Sequence, residues 1–332
     1  MAQFGFLLPT RGVVQTSDDR TELTARTQSE VVTLASRAEH QGFDAVWAGD
    51  SLVAKPRLDP LTTLAAVASE TAAVDLGTAV YLPNLRHPVS VAHQTATLDQ
   101  LSGGRLVLGV GVGGGPTVHR EHDQMDVPFE RRGAMLNETL EVIRTLWSGE
   151  SIDYDGEFHD LSNVGIGFQP ARDPPIYVAS KAFDPSDGFP RRIRERIAAH
   201  GDGWLPSAPF SPGVSYSPEM YSDGLEKIRE IVADADRNPD TIDPGYYLDV
   251  VVADTEREAL EQAREFVLTY YTGVDDLTDD QVRQRGIFGP PEHVRERVEQ
   301  YVGAGVRTFV VRFTAENQHQ QLRRFGAILD GL

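Results

Sequence analysis

Short apolar runs alternate along the whole chain with longer stretches in which apolar residues recur at helical spacing. Most of the short runs are almost continuously apolar, which is typical of parallel strands buried on both faces. The pattern predicts eight strands, at residues 4–8, 45–48, 75–81, 105–112, 176–179, 203–205, 246–252 and 307–313. It predicts helices at residues 22–41, 60–72, 88–101, 132–147, 191–199, 219–235, 256–270, 291–302 and 317–329.

This alternation predicts an α/β fold, and eight strands suit a closed (β/α)8 TIM barrel. An open, doubly wound sheet is the alternative architecture. No linker-like stretch divides the chain, so we expect a single domain over residues 1–332.

Three long irregular segments interrupt the alternation and are predicted to be insertions, at residues 149–175, 206–218 and 272–290. The first contains Asp155-Gly156 between short alternating runs, which is typical of a hairpin turn. Long loops that follow barrel strands line the mouth of the barrel. We therefore interpret the other two insertions either as lids over an active site or as solvent-exposed decoration.

The composition excludes several classes of function. There are 31 Lys and Arg against 50 Asp and Glu, a net charge of −19, so nucleic acid and anionic membranes are unsuitable partners. The absence of Cys excludes disulfides, thiolate metal sites and thiol catalysis. No apolar run reaches the roughly 18 residues of a membrane-spanning helix, and the N-terminal residues do not resemble a signal peptide. These features predict a cytoplasmic protein.

The charged residues are also unevenly chosen. Only three are Lys and 28 are Arg, while 28 Asp outnumber 22 Glu. Acidic surfaces that are poor in Lys resemble those of proteins from salt-loving organisms, where concentrated salt screens the self-repulsion. We interpret the chain as salt-adapted and of haloarchaeal type, with an ordinary acidic cytosolic enzyme as the alternative.

Residues 109–114 read Gly-Val-Gly-Val-Gly-Gly and match the GxGxxG pattern of dinucleotide-binding loops. Such a loop opens a helix at once, and an acidic residue ends the next strand about 20 residues later. Here Gly115-Pro116 follows, and that acidic residue is missing. We interpret the segment as a barrel strand whose glycines allow the backbone to approach a flat ligand closely.

Asp50 directly follows the predicted strand at residues 45–48, where barrel enzymes carry their chemical groups. It could equally cap a helix or a loop.

His119 and His122 have a spacing that can place two metal ligands on one helix face, but no matching ligands occur elsewhere. We therefore predict no metal site. The sequence contains neither a GxSxG elbow nor a P-loop, so no motif indicates a hydrolase or a phosphotransferase.

Several segments, taken in order, resemble the signature block of the bacterial luciferase-like superfamily of flavin and deazaflavin oxidoreductases. They are Leu-Gly-Thr-Ala-Val at 76–80, Arg-His-Pro at 86–88, Ala-Thr-Leu-Asp-Gln-Leu-Ser-Gly-Gly-Arg at 96–105 and Leu-Gly-Val-Gly at 108–111. The resemblance continues to residues 304–306, so it covers nearly the whole chain. The fold of this family is a (β/α)8 barrel with insertions, in agreement with the strand pattern.

The resemblance implies a cofactor of the flavin type, either coenzyme F420, a 5-deazaflavin, or FMN, at the C-terminal mouth of the barrel. In members that use the deazaflavin, the ring rests against a non-prolyl cis-peptide bulge after the third strand, which corresponds to Ala79–Val80. The other positions that correspond to cofactor contacts are Asp50 after the second strand, Val112, Gly113 and Gly114 after the fourth, Ala179, Ser180 and Lys181 after the fifth, and Leu205, Pro206 and Ser207 after the sixth. The last two groups correspond to contacts on the phosphate side.

Two departures limit what the resemblance implies about chemistry. In the sugar-phosphate and alcohol dehydrogenase branches a histidine follows the acidic residue, and here Ser51 stands in that place. Those branches also carry a glutamate after the fourth strand, where this chain has Gly114. The acid/base pair of those enzymes is therefore missing, and we do not expect their alcohol-oxidising mechanism.

We expect a coenzyme F420-dependent oxidoreductase that transfers hydride between the deazaflavin and a small organic substrate. Asp50 is the first candidate for a polar group at the reacting edge, and Tyr81 and His119 are further candidates for proton transfer. We also expect a homodimer or a higher homo-oligomer. An FMN-dependent monooxygenase and a non-catalytic flavin-binding protein are the alternatives.

Overall fold

The computed structural model describes residues 1–11, 25–53, 57–114, 118–181, 183–184, 186, 188–207, 216–271, 276–329 and 332, without the side chains of residues 25–29. Its strands are β1 (Gln3–Leu7), β2 (Ala45–Ala48), β3 (Asp75–Thr78), β4 (Leu106–Val110), β5 (Ile152–Asp155), β6 (Asp160–Val164), β7 (Ile176–Lys181), β8 (Gly203–Ser207), β9 (Asp243–Val252), β10 (Gly286–Gly289) and β11 (Thr308–Phe313).

Eight of these strands form a closed parallel barrel in the order β1-β2-β3-β4-β7-β8-β9-β11. Pairing of β8 with β9, through Gly203 with Asp243 and Ser207 with Tyr247, completes the ring. Each of the eight predicted strands overlaps one of these barrel strands. The (β/α)8 barrel is therefore confirmed, and the open sheet is wrong.

Helices surround the barrel and follow its strands in the chain. They are α1 (Ala25–His40), α2 (Pro60–Glu70), α3 (Pro88–Ser102), α4 (Val118–Gln124), α5 (Arg132–Leu146), α6 (Arg191–His200), α7 (Pro218–Ala233), α8 (Glu256–Tyr270), α9 (Asp279–Arg283), α10 (Pro291–Gly303) and α11 (Gln318–Leu329). Local signals fix several of their ends. Thr255 caps α8 by accepting from the Glu258 N–H, and α3 ends at Gly103, whose φ of 71° a side chain would oppose. None of the described helices is long and apolar enough to cross a bilayer.

The insertion at residues 149–175 contains the predicted hairpin, formed by the antiparallel strands β5 and β6. The Glu138 carboxylate on α5 accepts hydrogen bonds from the N–H groups of Glu157, Phe158 and His159 at 2.8–3.0 Å, which fixes the hairpin turn against that helix.

The insertion at residues 272–290 contains two elements that hydropathy alone did not predict, α9 and β10. β10 pairs with the C-terminal half of β9, while β8 pairs with its N-terminal half. The long strand β9 therefore carries two neighbours along one edge. Residues 208–215 of the insertion at 206–218, and residues 272–275, lie outside the described residues, so their interpretation as lids remains a prediction.

Trp47 fills the centre of the barrel. A Cβ atom at Gly5 on β1 would lie 2.1 Å from its indole nitrogen, and a Cβ atom at Gly77 on β3 would lie 2.0 Å from its ring. The two glycines therefore leave the space that the indole occupies. Because the barrel is packed solid at this level, a ligand site has to lie above it, at the C-terminal mouth.

Candidate functional site

A backbone bulge at residues 79–82, directly after β3, is hydrogen-bonded to both neighbouring strands. On one side the Asp50 N–H donates to the Val80 carbonyl at 3.2 Å. On the other side the Gly111 N–H donates to the Tyr81 carbonyl at 3.0 Å. The ends of β2, β3 and β4 are thus joined into one rim.

The peptide bond between Ala79 and Val80 is cis, which confirms the expectation drawn from the resemblance. The Val80 side chain is partly exposed at the mouth. A Cβ atom at Gly111 would lie 2.8 Å from Val80 Cγ2 and 3.8 Å from the Ala179 methyl group. The absence of a side chain at Gly111 therefore allows Val80 to occupy its position.

The Asp50 carboxylate is fully buried and bound on both oxygens. Arg86 donates to Oδ2 at 2.6 Å and to Oδ1 at 3.0 Å, and the Leu82 N–H donates to Oδ2 at 3.0 Å. Arg86 also contacts Asp59 at 3.1 Å. Burial raises the pKa of the Asp50 carboxyl, although the Arg86 guanidinium opposes this effect. Burial by itself would lower the pKa of Arg86, but its hydrogen bonds to Asp50 and the charge of that carboxylate raise it. The carboxylate thereby ties the end of β2 to the bulge.

Tyr81 lies in the outer core, between the barrel and its helices, and is completely buried. Its hydroxyl has no hydrogen-bond partner among the described residues, and the Arg86 guanidinium lies 4.4 Å from its ring centre. Burial raises the pKa of the phenol. Tyr81 is therefore not exposed at the mouth among the described residues, and its role in proton transfer remains a prediction.

The loop after Asp50 is held by Glu121, a buried residue of α4. The Glu121 carboxylate accepts from the Ser51 hydroxyl at 3.1 Å and from the N–H groups of Leu52 and Val53. The hydroxyl that stands in place of the histidine of the dehydrogenase branches is thus engaged in holding its own loop. The sequence pattern singles out the two histidines of this helix and gives Glu121 no role.

The two histidines of α4 have different environments. His119 is exposed and its ring stacks on Phe129 with 3.3 Å between the ring centres. His122 is buried, with one ring nitrogen 2.9 Å from the Val118 carbonyl and the other 3.2 Å from the Asn84 amide. Burial lowers the pKa of His122. No group of three or more His, Asp or Glu that could hold a metal occurs in the described part of the chain.

The ends of β7 and β8 form the opposite side of the rim. Lys181 pairs in register with Ser207, and its ammonium group is exposed without a carboxylate partner in the described ranges. The Ser180 hydroxyl donates to the Lys181 carbonyl at 2.7 Å and accepts from Trp204 Nε1 at 2.9 Å. Ser180 is therefore occupied structurally, while Lys181 is available to an anion.

The remaining predicted contact positions differ in exposure. Leu205 is buried inside the barrel, and Pro206 is also buried. After β4, Val112 and Gly113 are partly exposed and Gly114 is exposed, and Gly113 has a φ of 73° that favours glycine. Among the described residues, a Cβ atom at Gly114 would meet nothing within 4 Å.

Sequence reasoning missed a buried ion pair at the mouth. Arg312 on β11 donates to both carboxylate oxygens of Asp249 on β9, at 2.6 and 2.5 Å, and its third nitrogen donates to the Tyr271 hydroxyl at 2.6 Å. Each of the two is the only charged residue in the otherwise apolar C-terminal half of its strand. A single charge in such a strand could have indicated a buried ion pair from the sequence alone.

The rim as a whole fits a flat aromatic ligand with an anionic tail. Backbone and small side chains at Ala79, Val80, Gly111 and Ala179 form a partly exposed surface that a side chain at Gly111 would disrupt. Lys181 provides a cation at one end of this surface. The described residues thus offer what a flavin or deazaflavin phosphate requires.

Comparison with known proteins identifies the family to which the chain belongs. The sequence model of the luciferase-like monooxygenase family matches residues 2–308. The chain is 31% identical to the F420-dependent glucose-6-phosphate dehydrogenase of Nakamurella multipartita, over 90% of each chain. It is 29% identical to the enzyme of the same name from Kineococcus radiotolerans, over 88% of this chain and 89% of that one.

Solved structures share the fold. A monooxygenase, RslO1, from Streptomyces bottropensis superimposes with a TM-score of 0.79 at 24% identity, over 98% of both chains. An F420-dependent secondary alcohol dehydrogenase superimposes with a TM-score of 0.76 at 18% identity, also over 98% of both chains. At these identities the likeness establishes the barrel architecture alone.

Proposed function

Because this chain belongs to the luciferase-like monooxygenase family, we propose that it is a coenzyme F420-dependent oxidoreductase that transfers hydride between the deazaflavin and a small organic substrate. The relatives with the highest identities reported above carry F420-dependent names, and both are covered almost end to end. Membership of the family by itself indicates an oxidoreductase of the luciferase-like type.

The main support for this proposal is the partly exposed surface at the mouth, where Val80 packs against Gly111. Hydrogen bonds to the ends of both β2 and β4 hold this surface in place, so it does not need to reorganise when a ring binds. Ala79, Val80, Val112, Gly113, Gly114 and Ala179 would contact the ring. When bound, coenzyme F420 supplies the redox chemistry as a hydride carried at C5 of its ring.

The anionic end of the cofactor would lie at the ends of β7 and β8. Lys181 and Ser207 are adjacent there, and an ammonium with an adjacent hydroxyl is a suitable set of donors for a phosphate. Ser180, Leu205 and Pro206 would shape this end through backbone and packing, since the Ser180 hydroxyl already has two partners.

We assign Asp50 a positioning role. Its carboxylate is fully buried and holds the Leu82 N–H and the Arg86 guanidinium, which leaves no exposed oxygen for proton transfer. The group would act by holding the bulge in place under the ring. His119 remains the only one of the three proposed proton-transfer residues that solvent reaches, and its stacking on Phe129 favours a structural role.

We further propose that the substrate is not a sugar phosphate, although the relatives named above are glucose-6-phosphate dehydrogenases. Ser51 is bound to Glu121, and Gly114 offers no side chain, so neither position provides an acid or a base. Oxidation of a sugar hydroxyl requires a base to accept its proton. We expect no turnover of glucose 6-phosphate with oxidised F420.

The direct test is to titrate F420 and FMN separately into apo-protein in high salt and follow cofactor fluorescence and heat. We expect saturable binding of F420 at one site per chain and at least about ten-fold weaker binding of FMN. Preferential binding of FMN would instead favour the luciferase-like monooxygenase, the second candidate, which the family description supports.

A second measurement separates an enzyme from a binding protein. Reduced F420 is mixed with the protein and a panel of small acceptors, and its reoxidation is followed under anaerobic conditions. Turnover of at least one acceptor supports the oxidoreductase. Tight F420 binding without turnover of any acceptor would favour a non-catalytic carrier.

A further inference from the structure

Two arginines converge on one tyrosine at the mouth of the barrel, on the side of β1 and β2. Arg57 donates to the Tyr270 hydroxyl at 2.8 Å, and the Arg11 guanidinium carbon lies 4.0 Å from the centre of the Tyr270 ring. Tyr270 is the last residue of α8, and its ring stacks on Phe266 with 5.1 Å between the ring centres. Two guanidinium groups are therefore held next to an aromatic wall.

Neither arginine pairs with a carboxylate in the described part of the chain, although acidic residues outnumber basic ones by 50 to 31. Arg11 Nη1 and Arg57 Nε are buried there without an acceptor. By contrast, Arg86 and Arg312 each have a carboxylate partner at the same mouth. A buried guanidinium that lacks an anion is costly unless a ligand supplies one.

The two cations also act on each other. Burial lowers the pKa of Arg11, Tyr270 opposes this effect, and the charge of Arg57 lowers the pKa further. An anion placed between the two groups would remove this repulsion and provide the missing acceptors.

The two arginines line a cavity of about 20 Å³ together with Pro9, Gly49 and Phe313. This volume has room for about one water-sized group, such as a single carboxylate oxygen. A Cβ atom at Gly49 would lie 2.1 Å from Arg57 Nη1 and 3.3 Å from the Ala79 carbonyl oxygen. The cavity is therefore adjacent to the bulge that would support the cofactor ring.

We propose that Arg11 and Arg57 bind the carboxylate group of the substrate, which makes the substrate a small carboxylic acid. Both Nη atoms of Arg57 already donate, to the Tyr270 hydroxyl and to the Asp50 carbonyl. The two donors without an acceptor, Arg11 Nη1 and Arg57 Nε, would each donate to one oxygen of a carboxylate. The inference rests on the proposed function in one respect, since it takes the ligand to be the substrate of the reaction at the mouth.

The test is isothermal titration of benzoate and of its neutral counterpart benzamide into apo-protein at constant ionic strength. Wild-type protein is compared with Arg11→Gln, Arg57→Gln and the control Arg120→Gln, which alters an exposed arginine of α4. We expect the wild type and the control to bind benzoate at least about ten-fold more tightly than benzamide. Each of the other two variants should bind benzoate about 10- to 100-fold more weakly.

Two further variants guard against a change of fold. Arg57→Lys keeps the charge but removes Nε and should lose part of the benzoate affinity. Tyr270→Phe removes the hydroxyl bound to Arg57 while keeping the ring, and should weaken benzoate binding less than either glutamine variant. Circular dichroism melts check that all variants fold.

Equal binding of benzoate and benzamide, or undiminished benzoate binding in both glutamine variants, would overturn the inference. So would a wild type that binds no benzoate, because the arginines would then be neutralised from within the chain. These outcomes are independent of the F420 titration, so failure of this inference and failure of the proposed function can be told apart.

Discussion

Asp50 and Lys181 lie on opposite sides of the same rim and differ in how much of their charge is already compensated. The Asp50 carboxylate has three hydrogen bonds, two of them from Arg86. The Lys181 ammonium is exposed and faces no carboxylate among the described residues. A charge that is fully compensated inside the protein holds structure, whereas an uncompensated charge at a mouth is available to a ligand.

Lys181→Ala should weaken F420 binding. Loss of a charge-assisted contact to the phosphate would cost roughly 1.5–3 kcal/mol, or about 10- to 150-fold in the dissociation constant. Fluorescence titration measures this effect. Lys227→Ala is the matched control, because Lys227 is exposed on α7 and pairs with Glu230. If both variants bind F420 like the wild type, Lys181 is an ordinary surface residue.

His200 should make the fold sensitive to acid. Burial, together with the charges of Arg144, Arg196 and Arg237, lowers its pKa from 6.5 to about 4. The unfolded chain therefore takes up a proton at a higher pH than the folded one, so the contribution of His200 to stability is complete above pH 6.5 and is lost as the pH falls toward 4.

Between pH 7 and pH 4.5, urea unfolding of the wild type should lose about 1–3 kcal/mol more than unfolding of His200→Gln. His40→Gln alters an exposed histidine and should follow the wild type. Parallel curves for all three proteins would show that His200 does not contribute to acid unfolding.

Among the elements, the bulge after β3 depends on the strand beside it. Gly111→Ala would place a Cβ atom 2.8 Å from Val80 Cγ2, so Val80 would have to move away from the position in which we propose that it supports the ring. We expect the free energy of unfolding to fall by about 1–3 kcal/mol. F420 should bind at least about ten-fold more weakly, because the surface beneath the ring is displaced.

The control for this variant is Gly303→Ala at the end of α10, where an added Cβ would meet nothing within 4 Å. It should leave F420 binding within error of the wild type and should not lower the free energy of unfolding. Normal F420 affinity in Gly111→Ala, measured on folded protein, would show that Val80 does not support the cofactor.

For the whole molecule, the net charge of −19 predicts a marked response to salt. The screening length is about 30 Å at 0.01 M and about 3 Å at 1 M, so molar KCl should suppress the self-repulsion of the surface. We expect the melting temperature to rise by several degrees between these concentrations. Exposed ion pairs such as Arg257–Glu261 oppose this rise only weakly.

Thermal melts in KCl, with sucrose as an uncharged control, test this expectation. A melting temperature that stays constant or falls with KCl would remove the hypothesis of salt adaptation. That hypothesis depends on composition alone.

The sequence by itself determined the eight barrel strands and most of the surrounding helices. Each is a local property, because buried parallel strands require continuous apolar runs and helix ends require residues such as Thr255 and Gly103. The hairpin turn at Asp155-Gly156 was predictable for the same reason. Strand β10 was not, since Gly286–Gly289 is too short and too glycine-rich to show a period.

Only the tertiary structure decided which polar groups compensate one another. The Asp50–Arg86 pair spans 36 residues, the Asp249–Arg312 pair spans 63, and the Arg57–Tyr270 contact spans 213. Hydropathy places Asp50, Asp249 and Arg312 in or directly after barrel strands and Tyr270 at the end of a helix. The choice of partner depends on how the closed barrel brings these distant segments together. For that reason the sequence located the mouth, while the fold determined that the Asp50 carboxylate is buried and that Arg11 and Arg57 converge on Tyr270.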